Sequence, residues 1–388
     1  DTMNQMSKAF FVEDWQKICD NQSKICYDWK ATRHWISKHK SPSMVLTNLL
    51  TDLCGQMANK PISDVNVHVK LESLLKEDYI KTWEQQKSRI IVWQRYTIAA
   101  IFSPIFIQVK KRLKAILKQN VIYADGYTPA QLSRFLRTRK NVKSFFSNDL
   151  TKQDRQTDKP ILDVEFLMYK LLGVHDMVLA LWVTVHSKWR YKGKFTKGEL
   201  DLMRMTGQAT TAIGNLITNM QVHARFVNRN SMKLIFVIML GDDNLMGFSS
   251  GVNNNKLRNE IATLYNMQSK DSINDIHGSF CQMIAYKNSM GTCELGPDYV
   301  RLKNRFEVPN GVHESNNENL TMRSMSYLMM IGKNKRTDDI IANLDMPIQP
   351  EKWYDTKDIV PATAAKYDIS EQEVEDNLEC LYDMIENP

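Results

Sequence analysis

Asp149 and Asp154 stand five positions apart in SNDLTKQDRQTD, and Asp242 and Asp243 follow a glycine in LGDDN. Carboxylates gathered at strand ends offer hard oxygen ligands to Mg²⁺, which takes one or two of them and keeps its other positions for water and phosphate. Two such ions about 4 Å apart can activate a hydroxyl nucleophile and stabilise a leaving pyrophosphate. Each acid group alone is a weak signal, because Asp and Gly also gather in ordinary turns. Between them lies RMTGQATTAIGNLITNM (204–220), in which Thr211, Asn215 and Asn219 recur every four residues. On a helix they share one face, from which amides and a hydroxyl could meet a ribose. A capped surface helix with those groups in water is the alternative. Lys87 and Arg89 alternate in QKSRIIVWQR. On a strand they point one way, and a guanidinium fork beside a mobile ammonium suits a triphosphate; a basic edge strand is the plainer reading.

The elements that must position these groups follow from pattern. KSFFSNDL (143–150) reads as a short buried strand, and MKLIFVIMLGDDNLMGF (232–248) as a hairpin with Gly-Asp-Asp at its reversal. KSRIIVWQ (87–94) reads as a strand, IFIQVKKRLKAILKQN (105–120) as a helix with a basic face, and 160–187 as one long helix. KWRYKGKF (188–195) is turn-like, LRNEIATLYNMQ (257–268) helical, and SFCQMIAY with GTCEL forms a hairpin around Lys287–Met290. Residues 1–80 are mostly helical, including SPSMVLTNLLTDLCGQM (41–57) and VKLESLLKEDYIKTW (69–83). The tail carries a capping box, Ser370 to Glu373, ahead of a stripe of Val374, Leu378, Leu381 and Ile385.

Composition sets the outer bounds. A chain of 388 residues, 43% hydrophobic and 24% charged with 15 Gly and 11 Pro, can bury a large core and is neither disordered nor collagen-like. The longest apolar runs, such as LIFVIML (234–240), are core-sized, so no transmembrane segment is expected. The opening DTMNQMSK lacks a charged-then-apolar leader, so no secretory signal is expected. The six cysteines form no tight pair and read as reduced thiols in a cytosol. Residues 81–143 hold fourteen Lys or Arg against two acids, a net +12 in a chain of +7. Such a tract suits a polyanion, with solvated helix faces as an equal alternative. Cys19, Cys26, His34 and His39 lack the tight spacing of zinc fingers. His175, His186, His223 and His277 read as core or surface histidines, GFSSG (247–251) lacks the Lys-Ser/Thr of a phosphate loop, and the 21 methionines fill core gaps.

NDLTKQDRQTD (148–158), TGQATTAIGN (206–215) and LGDDN (240–244), in this order, resemble the palm motifs of the RNA-dependent RNA polymerases of positive-strand RNA viruses. The resemblance extends to KSRIIVWQ as the motif that holds the incoming triphosphate. It continues through LYNMQSK (264–270), as a helix-to-lysine motif, and residues 279–306, as the primer-grip hairpin leading into a thumb. The wording is closest to the alphavirus-like supergroup and, within it, to the endornaviruses. The resemblance implies an α+β right hand with an antiparallel palm sheet flanked by helices: fingers 1–140 and 160–200, palm 141–159 and 201–306, thumb 307–388. It implies that Asp149 and Asp242 bind two Mg²⁺, for which Mn²⁺ can substitute, with Asp243 in support. Asp154 and Asn215 would recognise the ribose, Thr211 would set that pocket, and Gly207 would give a mobile loop. Lys87 and Arg89 would cradle the triphosphate, and Lys270 would protonate pyrophosphate. Implied partners are an RNA template, nascent RNA, ribonucleoside triphosphates, and capping and helicase domains of one polyprotein, in a membrane-associated complex of the host cytoplasm. A reverse transcriptase would want a bulky ribose gate and an aromatic residue before Asp-Asp, and here Leu-Gly precedes the acids. A non-catalytic RNA-binding scaffold, with the acids as turn formers, is the second alternative.

Overall fold

The computed structural model describes residues 1–39, 41–51, 63–69, 90–151, 157–194, 196–307, 317–332, 334–350 and 353–387. Helices α1 (Thr2–Phe10), α2 (Trp15–Asp20), α3 (Trp29–Ser37) and α4 (Pro42–Thr51) precede strands β1 (Asp64–Val69) and β2 (Ile90–Gln94). Then come α5 (Tyr96–Ile116), β3 (Val121–Tyr123), α6 (Pro129–Arg137), β4 (Ser144–Thr151), α7 (Lys159–Leu171), α8 (Asp176–Ser187), β5 (Lys188–Lys192) and β6 (Lys197–Asp201). The next stretch is α9 (Thr211–Arg229), β7 (Leu234–Leu240), β8 (Asp243–Phe248), α10 (Asn255–Leu264) and β9 (Gln268–Asn274). Strands β10 (His277–Phe280), β11 (Met283–Lys287) and β12 (Cys293–Pro297) lead into α11 (Tyr299–Glu307), α12 (Asn317–Ile331), α13 (Lys335–Asn343), α14 (Thr356–Tyr367) and α15 (Glu371–Glu386).

A five-stranded sheet in the order β3-β7-β8-β4-β9 carries the candidate acids. Its β3–β7 pair is parallel and its other pairs antiparallel, so it is mixed where an antiparallel sheet was expected. Successive side chains of a strand face opposite sides, and both sides here are covered. Phe146, Leu150, Val237, Met246 and Phe248 join α9 residues Leu216, Met220 and Phe226 in the main core. Phe145, Phe236, Ile238 and Leu245 face the other way, onto Leu132 and Leu136 of α6 and onto the β10–β12 sheet. A second core under the C-terminal helices holds Tyr286, Tyr299, Leu328, Ile359 and the expected stripe Val374, Leu378, Leu381 and Ile385. The Ser370–Glu373 capping box forms as expected.

Several expectations about elements are corrected. The long helix over 160–187 is two helices. Gly173 at φ +100 ends α7 in a Schellman turn, with Val174 N–H donating to Tyr169 O and Gly173 N–H to Lys170 O, and His175 caps α8 by accepting from Met177 N–H. KWRYKGKF is not a turn: residues 188–192 form β5, whose Trp189 is fully buried while Lys188 and Arg190 face solvent. The basic residues mask a period of two. SFCQMIAY is itself a hairpin, because Cys281 and Gln282 both take positive φ (+47 and +66) between Phe280 and Met283. The helix expected over 257–268 stops at Leu264, and Gln268 starts β9. Helix α5 begins at Tyr96, passes through Pro104 and ends at Ile116 instead of 120. Pro104 has no N–H for the carbonyl of Ala100, and Thr32 Oγ1 donates to that carbonyl at 2.9 Å instead. The helical reading of 69–83 fails at Val69, which closes β1, and the rest of it, with 52–57, lies outside the described residues.

Candidate active site

The hairpin reversal falls where the sequence places it, with Leu240 paired to Asp243 around Gly241 (φ +58) and Asp242. Strand β4 pairs with β8 up to Asn148 opposite Asn244, so the next step of the antiparallel ladder sets Asp149 beside Asp243. On its other edge Asp149 is registered directly opposite Lys270 of β9. Residues directly opposite one another share a face, so Asp149, Asp243 and Lys270 stand on one face of three adjacent strands. The sequence reading put Lys270 after a helix; the structure puts it within a strand, alongside the first acid. Asp149, Asp242 and Lys270 are exposed and Asp243 is partly buried.

Burial holds the Asp243 carboxyl above its ordinary range, and Asp149 pushes it the same way, while the Cys281 thiol, donating to Asp243 Oδ2 at 3.3 Å, lowers it. Burial, Asp243 and Asp242 together push the Cys281 thiol well up, so it stays protonated and donates. Carboxylates whose fields oppose one another favour a bound cation. Among the described residues no three His, Cys, Asp or Glu side chains close around one metal ion. Asp149 and Asp243, side by side on β4 and β8 with Asp242 at the adjoining tip, present an open set of carboxylate oxygens, the donor type that Mg²⁺ takes together with water and phosphate.

Helix α9 is positioned by its own start. Thr211 Oγ1 donates to Met205 O at 2.8 Å and accepts from Gln208 N–H at 2.9 Å, holding the loop before the helix. Asn215 is half-buried one turn on. Asn219 does not share an open face with them. It is fully buried, its Nδ2 donating to Gly241 O (3.2 Å) and Asp243 O (3.0 Å) and its Oδ1 accepting from Asn244 Nδ2 (2.8 Å). A helix drifts about 100° per residue, so a four-residue repeat wanders across the face, and here the third member ends on the acid hairpin. His223, set aside as a core histidine, is also fully buried. Its Nδ1 lies 2.8 Å from Asn219 O and must donate, so Nε2 accepts from Asn148 Nδ2 at 2.8 Å. One signal in the sequence pointed here: an asparagine adjoins an acid on each strand, at Asn148-Asp149 and Asp243-Asn244.

Burial lowers the His223 pKa to about 4, against smaller opposing effects of Asn219 O and Asp271. The unfolded chain, with an ordinary histidine near 6.5, binds the proton first, so stability is complete above that value and falls as pH drops toward 4, by about 3 kcal/mol. Denaturation midpoints at pH 7 and pH 4.5 measure this, and His223→Gln is expected to flatten the difference.

The Thr206-Gly207 loop, implied to be mobile, is bridged to β2. Gly207 pairs with Trp93, Thr206 Oγ1 accepts from Val92 N–H at 2.9 Å, and a Cβ at Gly207 would lie 2.4 Å from Val92 O. Beneath the loop Arg204 and Glu165 form a fully buried ion pair, Nη2 to Oε2 at 2.6 Å. Lys87, Arg89 and Asp154 lie outside the described residues. In the basic tract, both expectations miss a third use. Arg112 donates to Leu172 O and Ser23 O, Arg139 to Gln119 O, Arg137 bonds Glu294, and Lys110 and Lys114 pair with Asp125. Lys111, Arg134, Lys140 and Lys143 remain on the surface.

The RNA dependent RNA polymerase family model matches residues 1–317, and the chain belongs to that family. Its relatives are viral replicases. It is 25% identical over 260 residues to replicase polyprotein 1ab of Beet yellows virus (isolate Ukraine), covering 65% of this chain and 8% of that protein. It is 25% identical over 294 residues to the replicase large subunit of Tomato mosaic virus (strain L), covering 74% and 18%. To RNA-directed RNA polymerase 2a of Tobacco streak virus (strain WC) it is 23% identical over 190 residues, covering 48% and 22%. The chain thus spans 8–22% of the length of these three relatives, all from plant viruses, in keeping with the alphavirus-like resemblance.

Proposed function

We propose that this chain is the catalytic core of a viral replicase that adds ribonucleoside triphosphates to an RNA 3′ end under the direction of an RNA template, releasing pyrophosphate. The observation that carries the reading is Asp149 standing beside Asp243 and opposite Lys270 on one face of β8, β4 and β9. Asp149 and Asp242, supported by Asp243, would hold two Mg²⁺, which when bound lower the pKa of the attacking hydroxyl and neutralise the leaving phosphates. The protein's remaining task is placement and charge. Lys270 carries an ammonium beside the acids, suited to deliver a proton to pyrophosphate as it departs. Lys87 and Arg89 would hold the triphosphate, and Asp154 and Asn215 the ribose hydroxyls. The template chooses the base by pairing, so the protein needs backbone contacts only. In this reading the chain is a right hand, with palm at 141–159 and 201–306, fingers at 1–140 and 160–200, and thumb from 307.

The large size of the relatives supports further replicase domains, such as capping and helicase units, in the same polyprotein. We place the complex on host cytoplasmic membranes through those other parts; among the described residues no helix is long and apolar enough to cross a membrane. Primer extension with Mg²⁺ on an RNA template tests the function: ribonucleotide incorporation is expected, deoxynucleotide incorporation would favour a reverse transcriptase, and RNA binding without incorporation a scaffold. Asn215→Ala is expected to lower ribo-over-deoxy discrimination by about tenfold, the worth of one lost hydrogen bond to the 2′-hydroxyl. Competitive incorporation of the two nucleotide types measures it, and unchanged selectivity removes Asn215 from the ribose pocket.

A further inference from the structure

The pleat gives each acid a neighbour on the opposite side of the sheet. Asp149 and Asp243 face one way; Asn148 and Asn244, a registered cross-strand pair, face the other, toward α9. There they meet Asn219 and His223, and none of the four is more than 4% exposed. Asn219 bonds the carbonyls at both ends of the Gly241-Asp242-Asp243 turn and the amide of Asn244. His223 bonds the carbonyl of Asn219 and the amide of Asn148. One helix thus grips both acid-bearing strands, each at a residue adjoining an acid. Like-charged carboxylates on adjacent strands repel, so their placement calls for support from elsewhere in the fold.

We infer that Asn219 and His223 are positioning residues that fix Asp149 relative to the Asp242–Asp243 turn and thereby set the divalent-cation affinity of the pair. The inference rests on the reading of those acids as the metal-holding set. Residues that orient metal ligands without touching the metal typically govern affinity or activity by ten- to a hundredfold.

The test uses the full chain with two readouts, Mn²⁺ binding followed by electron paramagnetic resonance and the Mg²⁺ dependence of primer extension. Asn219→Ala is expected to raise the Mn²⁺ dissociation constant and the half-saturating Mg²⁺ by about tenfold or more, with RNA affinity unchanged. Gln221→Met is the structural control: Gln221 is as buried, on the same helix, but donates to Ile161 O at 3.1 Å, away from the acids. It is expected to lower the thermal midpoint and leave both metal readouts alone. Should Asn219→Ala not fold, His223 decides. His223→Gln sets an amide oxygen where Nε2 accepts from Asn148 and is expected to keep the parental Mn²⁺ affinity, while His223→Leu loses it. Parental affinity in Asn219→Ala, an equal shift in Gln221→Met, or identical behaviour of the two His223 variants overturns the inference. Asp242→Ala run in parallel tells the two failures apart. If it abolishes Mn²⁺ binding while Asn219→Ala is parental, the acids stand and only the positioning role falls; if Asp242→Ala binds and extends normally, the acid assignment falls first.

Discussion

Alanine at Asp242 is expected to stop ribonucleotide addition, by on the order of a thousandfold or more, while leaving RNA binding intact. A thousandfold corresponds to about 4 kcal/mol of lost transition-state stabilisation, a reasonable loss for one of the few carboxylates proposed to hold two cations. Asp242 is exposed at the tip of the reversal, so its removal opens no cavity in the core. In the proposed function, binding of backbone phosphate would draw on basic residues elsewhere. Single-nucleotide extension with saturating Mg²⁺, alongside a filter-binding isotherm, separates chemistry from affinity. A variant that extends RNA at the parental rate ends the assignment of Asp242.

The largest loss of stability is expected at Arg204. Its guanidinium meets Glu165 in a fork, Nη1 to Oε1 at 3.0 Å and Nη2 to Oε2 at 2.6 Å, and also donates to Thr218 Oγ1 at 3.3 Å; Tyr169 OH donates to Glu165 Oε1 as well. Both charged side chains are fully buried. Arg204→Met leaves a carboxylate in an apolar interior without its countercharge, which costs about 3–5 kcal/mol. Adding Glu165→Leu removes the orphaned charge and is expected to recover much of that. Urea denaturation of the single and double variants measures both, and a single variant within 1 kcal/mol or so of the parent contradicts the account. The same pair explains Gly214: a Cβ there would lie 1.8 Å from Arg204 Nη1, so the helix must present no side chain at that point.

Much of this is legible in the sequence, and the parts that are not escape it for physical reasons. The acid hairpin is legible because a short polar break between two apolar runs favours a reversal, whereas the pattern ends the neighbouring strand too early: β4 runs past Asp149 to Thr151 along β9. The Thr211, Asn215 and Asn219 series was read as one polar face toward substrate, yet the structure turns Asn219 inward. Periodicity shows which residues share a side, and only packing shows what that side meets. A lone histidine among apolar residues carries no local mark of its side-chain partner, which for His223 lies 75 positions away at Asn148. Net charge likewise does not reveal that Arg112, Arg137 and Arg139 reach oxygens of their own chain. KWRYKGKF hid a strand because Lys and Arg on its solvent side drown the single buried Trp189.

The two-sided division of β4 also limits how the gene can change. With the register before it kept, adding or deleting one codon between Ser144 and Asp149 would send the carboxylate to the helix-facing side and swing the amide of Asn148 to the other. Unless a bulge absorbs the change, the spacing from Phe145 to Asp149 behaves as a parity check on the encoded chain.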